Sequence, residues 1–205
     1  NEAASYIVDR ITKTEYKQNI KAEEYKEWRT KRLQINQYFQ QAGYDNINVS
    51  QKTLPIPSLK LSRAKGSELK LRNNNRKPIL NKISTQQVAR LLYEIQKKQS
   101  VSEKSSSKMA NLLRIDAKTR NIKRHDKNPN EFNPVRGFLS APLANNVDFK
   151  GKAGWTSRSR NDAGIITTPN GKTYILVVFG EDRAYASDWK IFPEISQLVF
   201  NRMTK

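Results

Sequence analysis

Few residue types in this sequence could act as nucleophiles, metal ligands or redox groups. The 205 residues include no cysteine, which excludes thiol nucleophiles, disulfides and thiolate metal sites. The single histidine, His125, lies in the polar run of residues 123–127, a setting typical of a solvated loop. A Ser-His-Asp triad or a histidine-based zinc site would need this one residue. The sequence therefore predicts neither a metal site nor a cofactor.

The chain is strongly basic, with 38 Lys and Arg against 19 Asp and Glu and a formal net charge of +19. Such a charge attracts nucleic acid, anionic lipid or acidic cell-wall polymers. The cations are densest over residues 60–82, where Glu68 is the only acid. No aromatic residue interleaves with them to stack bases, and no zinc-finger or RNA-recognition motif is present. We expect weak attraction to polyanions, and the pattern disfavours nucleic-acid binding.

The elements that could position a site begin with helices. Apolar residues at 3.6-residue spacing predict a helix from Asn1 to about Arg10, and a second one from about Leu33 that ends at Gly43. Residues 44–82 show little periodicity and predict a long loop. The next predicted helix is capped by Ser84, and a shorter one covers residues 105–113. Their inward residues are expected to be Val88, Leu91, Leu92 and Ile95 in the first, and Met109, Leu112 and Leu113 in the second.

The pattern then changes to strands. Asp148–Ser157, Ala163–Thr168 and Thr173–Phe179 are three candidates, and Asn170-Gly171 predicts a hairpin between the last two. A final helix is expected after Ser187, with its start nearer Phe192 because Pro193 is tolerated only near the first turn of a helix. The fold class is therefore α+β, with a helical lobe over residues 1–143 and an antiparallel meander plus covering helix over residues 144–205. Residues 1–205 contain no run of eighteen apolar residues, and no signal peptide is visible among them, as expected also after processing or truncation.

Several segments, in order, resemble one family. Lys152-Ala153-Gly154 on the first of three strands is similar to the Lys-Thr/Ser-Gly motif near the end of serine β-lactamases and penicillin-binding proteins. Residues 156–165 resemble the turn and fourth strand of class A β-lactamases. Asn1-Glu2-Ala3-Ala4 looks like the end of a Ser-x-Asn motif, and residues 84–92 resemble the helix after the omega loop. The resemblance implies the C-terminal part of such a fold, with a further N-terminal segment expected to complete it.

The resemblance also implies roles for individual residues. Lys152 would place a cation beside the substrate carboxylate, and Gly154, next to Ala153, would let the strand approach the substrate closely. The backbone N–H of Trp155 would donate to the oxyanion of the tetrahedral intermediate. The side-chain amide of Asn1 would hold the substrate, and a second cation for the carboxylate would come from an arginine, either Arg160 or Arg158.

The sequence departs from the family pattern in three places. The Ser-x-x-Lys nucleophile motif belongs upstream of Asn1, and we interpret Ser105-Ser106-Ser107-Lys108 as a chance match on a late helix. Class A β-lactamases carry an omega-loop Glu-x-x-x-Asn that activates the deacylating water. Glu68 does not reproduce that motif, and Ala153 lacks the usual hydroxyl. We therefore expect slow or absent deacylation.

Three functions remain open at this point. The resemblance favours a serine hydrolase that is acylated by a β-lactam or a D-Ala-D-Ala-type cell-wall peptide, in the periplasm or elsewhere outside the cytoplasmic membrane. A second hypothesis is an inactive family member that binds peptidoglycan or another anionic wall polymer. A third is a basic nucleic-acid-binding protein, whose affinity would fall steeply with salt.

Overall fold

The chain divides into two compact units, residues 1–84 and residues 85–205. The structure is a computed structural model that describes residues 1–73, 77–116, 120 and 132–205. The division differs from the boundary after residue 143 that the sequence predicts, because one helix before that boundary packs on the sheet and a second packs on that helix. His125 lies outside the described residues. The two units are described separately below.

The first unit is built on two helices, α1 (Glu2–Thr12) and α2 (Ala22–Gln41). α2 begins eleven residues before the predicted core helix, with Glu23 and Glu24 in its first turn, where the helix dipole favours acids. Its charged first half is anchored by Trp28, which is buried against Ile20 and Leu71. A few apolar residues therefore suffice to hold a helix whose sequence is mostly charged.

Residues 44–82 are less irregular than predicted. They contain a short 3-10 helix (Pro57–Leu59) and the helix α3 (Gly66–Leu71). An isolated bridge joins Asn48 to Lys82, with backbone hydrogen bonds in both directions. Asn36 also donates from its side chain to the side chain of Asn48 at 2.9 Å. These polar contacts replace the apolar periodicity that the sequence lacks, and they tie the segment to α2.

A buried ionic cluster, formed by Asp9, Arg32, Lys52 and Glu68, lies at the centre of the first unit. Arg32 is 0% exposed and donates to Glu68 at 3.1 Å and to Asp9 at 2.9 Å. Lys52 donates to the second oxygen of Asp9. Burial raises the pKa of Glu68 and of Asp9, although Arg32 and Lys52 oppose that rise. The guanidinium of Arg32 also stacks on Trp28, 4.5 Å from the ring centre.

The second unit contains helices on a four-stranded antiparallel sheet. Its elements are α4 (Thr85–Gln96), α5 (Glu103–Leu112), β1 (Asp148–Gly151), β2 (Gly154–Thr156), β3 (Ser159–Thr167), β4 (Thr173–Gly180), α6 (Arg183–Ser187) and α7 (Ile191–Thr204). The α+β prediction is confirmed. The final helix begins at Ile191, next to Phe192, so Pro193 lies in its first turn as expected, and Ser187 ends the separate short helix α6.

β3 is the central strand of this sheet. β4 pairs along one side of it, through the predicted hairpin at Asn170-Gly171, where Gly171 has a φ of +85°. β1 and β2 share its other side, since Gly151 lies opposite Gly164 and Gly154 lies opposite Asn161. Gly154 is three positions after Gly151, and Asn161 is three positions before Gly164, so the pairing register is the same for β1 and β2. The single strand predicted over residues 148–157 is therefore one edge strand interrupted at residues 152 and 153.

Each face of the sheet is covered by different elements. One face packs α7 and residues 138–147 through a cluster that includes Phe138, Phe149, Ile166 and Phe192. The other face packs α4 through Leu92, Ile165 and neighbouring apolar residues. Leu112 of α5 does not face inward as predicted, since it is 86% exposed. The buried residue of α5 is Ser106, whose hydroxyl donates to the carbonyl of Ser100 at 2.8 Å. No helix in the described ranges is both long and apolar enough to cross a membrane.

Candidate active site on the edge strand

Among the residues that the structure describes, the outward backbone groups of the edge strand have partners over its first half only. Leu113 accepts from the N–H of Gly151 at 2.8 Å, and the carbonyl of Phe149 accepts from Ile115 at 2.9 Å. Inward and outward backbone groups alternate along an antiparallel strand. Lys152 donates inward to the carbonyl of Ala163 at 2.9 Å, so the N–H of residue 153 and that of residue 155 point outward.

Trp155 therefore presents its backbone N–H at the outer edge of the sheet. Within the described ranges of the chain, no residue accepts a hydrogen bond from this N–H. The edge is thus left unpaired at the position where the resemblance expects an oxyanion donor. A backbone N–H fixed in a strand is a suitable donor to a developing oxyanion, because it does not reorganise during the reaction.

Lys152 carries its charge to the same edge. Its side chain is exposed, and its ammonium donates to the carbonyl of Ala153 at 2.8 Å. That carbonyl points outward by the same alternation. An ammonium group at this position can pair with an anion that lies along the strand.

Gly154 leaves open space next to these groups. Within the part of the chain that the structure describes, a Cβ at this position would meet only the carbonyl oxygen of Asn161, at 4.0 Å, and Gly154 is not among the glycines with positive φ. At Gly164, in contrast, a Cβ would lie 2.5 Å from the ring of Phe149. Neither packing nor backbone conformation therefore requires glycine at position 154. A ligand approaching the strand would supply such a requirement.

Ala153 and Arg160 lie on the other face of the sheet, away from Lys152 and Gly154. The side chain of Ala153 is buried in the core cluster under α7, so it does not line the strand edge. Arg160 is 0% exposed and donates to the carbonyls of Gly137 and Ala186 at 3.0 and 2.8 Å. Burial lowers its pKa. Carboxylate binding by the Arg160 side chain, or by the Ala153 side chain, does not fit this geometry.

Arg158 remains as an exposed cation near the edge strand. It lies in the turn between β2 and β3, where its backbone N–H donates to the hydroxyl of Thr156 at 3.1 Å. The turn is further closed by a hydroxyl contact of 2.8 Å between Thr156 and Ser159. Of the residues predicted to form a site, the structure brings Lys152, Gly154 and the Trp155 N–H to one strand edge, with Arg158 in the following turn.

Asp162 is a residue that the sequence reasoning missed. The register places it opposite Ala153, and its two carboxylate oxygens accept from the backbone N–H groups of Leu139 and Ala163, each at 2.8 Å. Burial raises its pKa to about 7, against these two hydrogen bonds. The alternation of buried positions in β3 could have indicated it, because an inward acid in a strand needs partners.

The remaining predicted residues lie elsewhere. Asn1 belongs to the unit of residues 1–84, where its side-chain amide donates to the carbonyl of Leu54 at 2.7 Å. Ser105 is in the first turn of α5, and its backbone N–H is capped by the hydroxyl of Ser102 at 3.1 Å. A capping role is sufficient to explain serines at this position.

Comparison with known proteins assigns the chain to a family. The model of the beta-lactamase enzyme family matches residues 27–203. The structure of PBP-A is similar at a TM-score of 0.54 and 18% identity, over 83% of this chain and 50% of that chain. A β-lactamase from Sphaerobacter thermophilus DSM 20745 is similar at a TM-score of 0.53 and 17% identity, over 83% and 52%. No curated protein matches the sequence.

These comparisons agree with the α+β fold. The chain spans about half the length of the solved structures that it resembles. At such low identity, the solved structures show the fold alone, and the family match covers most of the sequence. The chain therefore belongs to the beta-lactamase enzyme family.

Proposed function

We propose that this protein is a serine hydrolase of the β-lactamase and penicillin-binding type. Its active-site serine would take the acyl group of a β-lactam or of a D-Ala-D-Ala-type peptide. The observation that carries the proposal is the unpaired edge at residues 152–155, where an ammonium, an open glycine and an outward N–H occur together. We propose a location outside the cytoplasmic membrane, by resemblance to the family.

Each group has a separate task in this proposal. Lys152 pairs with the substrate carboxylate, and Arg158 adds a second cation from the turn. The N–H of Trp155 donates to the oxygen of the acyl carbonyl as negative charge develops on it. We do not assign the serine nucleophile to residues 1–205. The role of Asn1 in holding the substrate amide stays a prediction from the resemblance.

We further propose that the acyl enzyme is hydrolysed slowly. Deacylation needs a base that activates a water molecule. Glu68, the acid that the sequence offers in the dense basic segment, is 1% exposed and paired with Arg32 at 3.1 Å. A carboxylate that is buried and paired in this way is poorly suited to activate a water.

The test is labelling of the full-length protein with a fluorescent penicillin. Lys152→Ala should lower the rate constant of labelling by about 10²-fold, because a cation matched to the substrate is lost. Lys172→Ala is the matched control, since Lys172 is an exposed lysine in the hairpin on the same sheet. It should label like the wild type. Equal labelling of Lys152→Ala and wild type would contradict the role of Lys152.

A second measurement separates slow deacylation from absent acylation. Once labelled, the wild type should keep its label for many minutes, and hydrolysis of a cephalosporin should be slow. Rapid steady-state hydrolysis would contradict slow deacylation. If no labelling occurs but the protein sediments with purified cell walls, the inactive binding member is the better description.

A further inference from the structure

The two faces of the edge strand differ at the candidate site, since one carries a cation and the other carries aromatic rings. Lys152 and the open position at Gly154 lie on one face, and side chains alternate between the faces along a strand. Trp155 therefore projects to the other side, where α6 and the residues after it lie. Trp189 and Tyr185 are there as well, and each of the three aromatic residues is close to half exposed, at 47%, 44% and 43%.

Trp155 and Trp189 are held firmly despite this exposure. The indole N–H of Trp155 donates to the carbonyl of Ala186 at 2.8 Å. Trp189 stacks on the guanidinium of Arg160, 4.1 Å from the ring centre, and on Gly137, where a Cβ would lie 2.5 Å from the ring. The two indole centres are 6.4 Å apart at an interplanar angle of 33°. We call these two rings the indole pair.

Rigid aromatic rings that stay exposed are typical anchors of binding surfaces, because little conformational entropy is lost when a ligand covers them. The indole pair is also continuous with the candidate site, since Trp155 supplies both the outward N–H and one of the rings. A group attached near the acyl carbon of a bound substrate would lie within one side-chain length of that ring.

We infer that this site selects acyl substrates that carry an anionic group on the Lys152 side and a flat apolar ring on the side of the indole pair. The inference rests on the proposed function, and it adds a specificity-determining role for the rings of Trp155 and Trp189. A substrate that lies along the edge strand directs its substituents alternately to the two sides, as an added strand does. The carboxylate and the ring are therefore placed on opposite sides.

The experiment compares acylation of the full-length protein by benzylpenicillin with acylation by 6-aminopenicillanic acid, which has the same nucleus and carboxylate but no aromatic ring. Trp189→Leu removes one ring of the indole pair and leaves the oxyanion donor Trp155 in place. It should lower the rate constant for benzylpenicillin by about tenfold, as expected for a lost aromatic contact, and leave that for 6-aminopenicillanic acid within about twofold. Trp189→Phe should restore most of the preference, and Trp155→Leu, which keeps the backbone N–H, should reduce the same preference.

Tyr93→Leu is the matched control, because Tyr93 is a comparably exposed aromatic residue on α4. It should leave both rate constants unchanged. An unchanged preference in both Trp155→Leu and Trp189→Leu, in a protein that is acylated, would overturn the inference and leave the proposed function intact.

A binding measurement covers the case in which the protein is not acylated. Phenylacetylglycine, an anion with a flat ring, should shift the indole N–H signals of Trp155 and Trp189 in the NMR spectrum, and acetylglycine should shift them less. Such shifts without acylation would support the surface and contradict the hydrolase. The absence of both acylation and shifts would overturn both proposals.

Discussion

Each unit contains a fully buried arginine, and the two side chains have different kinds of partner. In residues 1–84, Arg32 donates to the carboxylates of Asp9 and Glu68. In residues 85–205, Arg160 donates to the backbone carbonyls of Gly137, Tyr185 and Ala186, and it packs against the rings of Phe138 and Trp189. The first unit is therefore centred on paired charges, and the second on a single cation among dipoles and rings.

The cost of losing a buried arginine therefore depends on the groups that remain after its removal. Removal of Arg32 leaves two buried carboxylates with one lysine. Removal of Arg160 leaves carbonyl groups, which carry no net charge. An unpaired buried charge costs far more free energy than an unpaired carbonyl.

The largest expected effect is that of Arg32→Met. We expect it to lower the free energy of unfolding of its unit by about 3–5 kcal/mol, because Glu68 loses its partner in a buried site. Arg160→Met should cost about 1–3 kcal/mol, the range for unsatisfied buried acceptors. Urea unfolding measures both. Lys31→Met is the control on the same helix, since Lys31 makes an exposed pair with Glu27. Equal losses of unfolding free energy in Arg32→Met and Arg160→Met would contradict this difference between the two arginines.

The pH dependence of stability gives a second expected effect. The pKa of Asp162 is raised to about 7 from 3.8, so its contribution to folding is fully present below pH 3.8 and is lost as the pH rises through 7. The free energy of unfolding of residues 85–205 should therefore fall over this range, by on the order of 3 kcal/mol from this group. Burial raises the pKa of Asp9 and Glu68 in the same direction in the first unit.

Asp162→Asn tests whether this carboxyl group causes the pH dependence of residues 85–205. We expect the variant to be destabilised at every pH, because its side-chain NH₂ would face one of the two backbone N–H groups that donate to the carboxylate. Its unfolding free energy should nevertheless change less between pH 5 and pH 7.5 than that of the wild type. A slope identical to the wild type would show that Asp162 does not titrate in this window.

The smallest effect on stability is expected at Gly154, in contrast to Gly164 in the same sheet. Gly164→Ala should cost about 1–3 kcal/mol, because its Cβ would overlap the buried ring of Phe149. Gly154→Ala should change stability by less than about 0.5 kcal/mol, since the position is open. It should still slow penicillin labelling at least about tenfold if a ligand occupies that space. Labelling at the wild-type rate would show that the space is not used.

Much of the fold was predictable where periodicity or turn chemistry is strong. The helix beginning at Thr85 and the hairpin at Asn170-Gly171 follow from local sequence, because an apolar stripe and a residue tolerant of positive φ leave few alternatives. The first half of α2 was missed, since Tyr25 and Trp28 are its only large apolar residues. The short helix α3 has too few residues to show a period.

The site was predictable in its backbone and less so in its side chains. The resemblance of Lys152-Ala153-Gly154 to a family motif indicated the strand edge. The burial of Arg160 depends on carbonyls 23 to 26 residues away in the chain, which no local pattern reveals. Arg32 and Glu68 were equally hidden, because charged residues are mostly exposed and their burial depends on partners from distant segments.

The partial cover that residues 113–115 give to the edge strand also affects how copies of the protein behave at high concentration. An exposed strand edge recruits strands from other chains and so promotes aggregation. Beyond the cover, the outward groups of Ala153 and Trp155 are about 7 Å apart, which is the length of a dipeptide. That length is shorter than an ordinary strand, and the ammonium of Lys152 lies beside it. The edge is therefore long enough for a small ligand and too short and too charged to template fibrils.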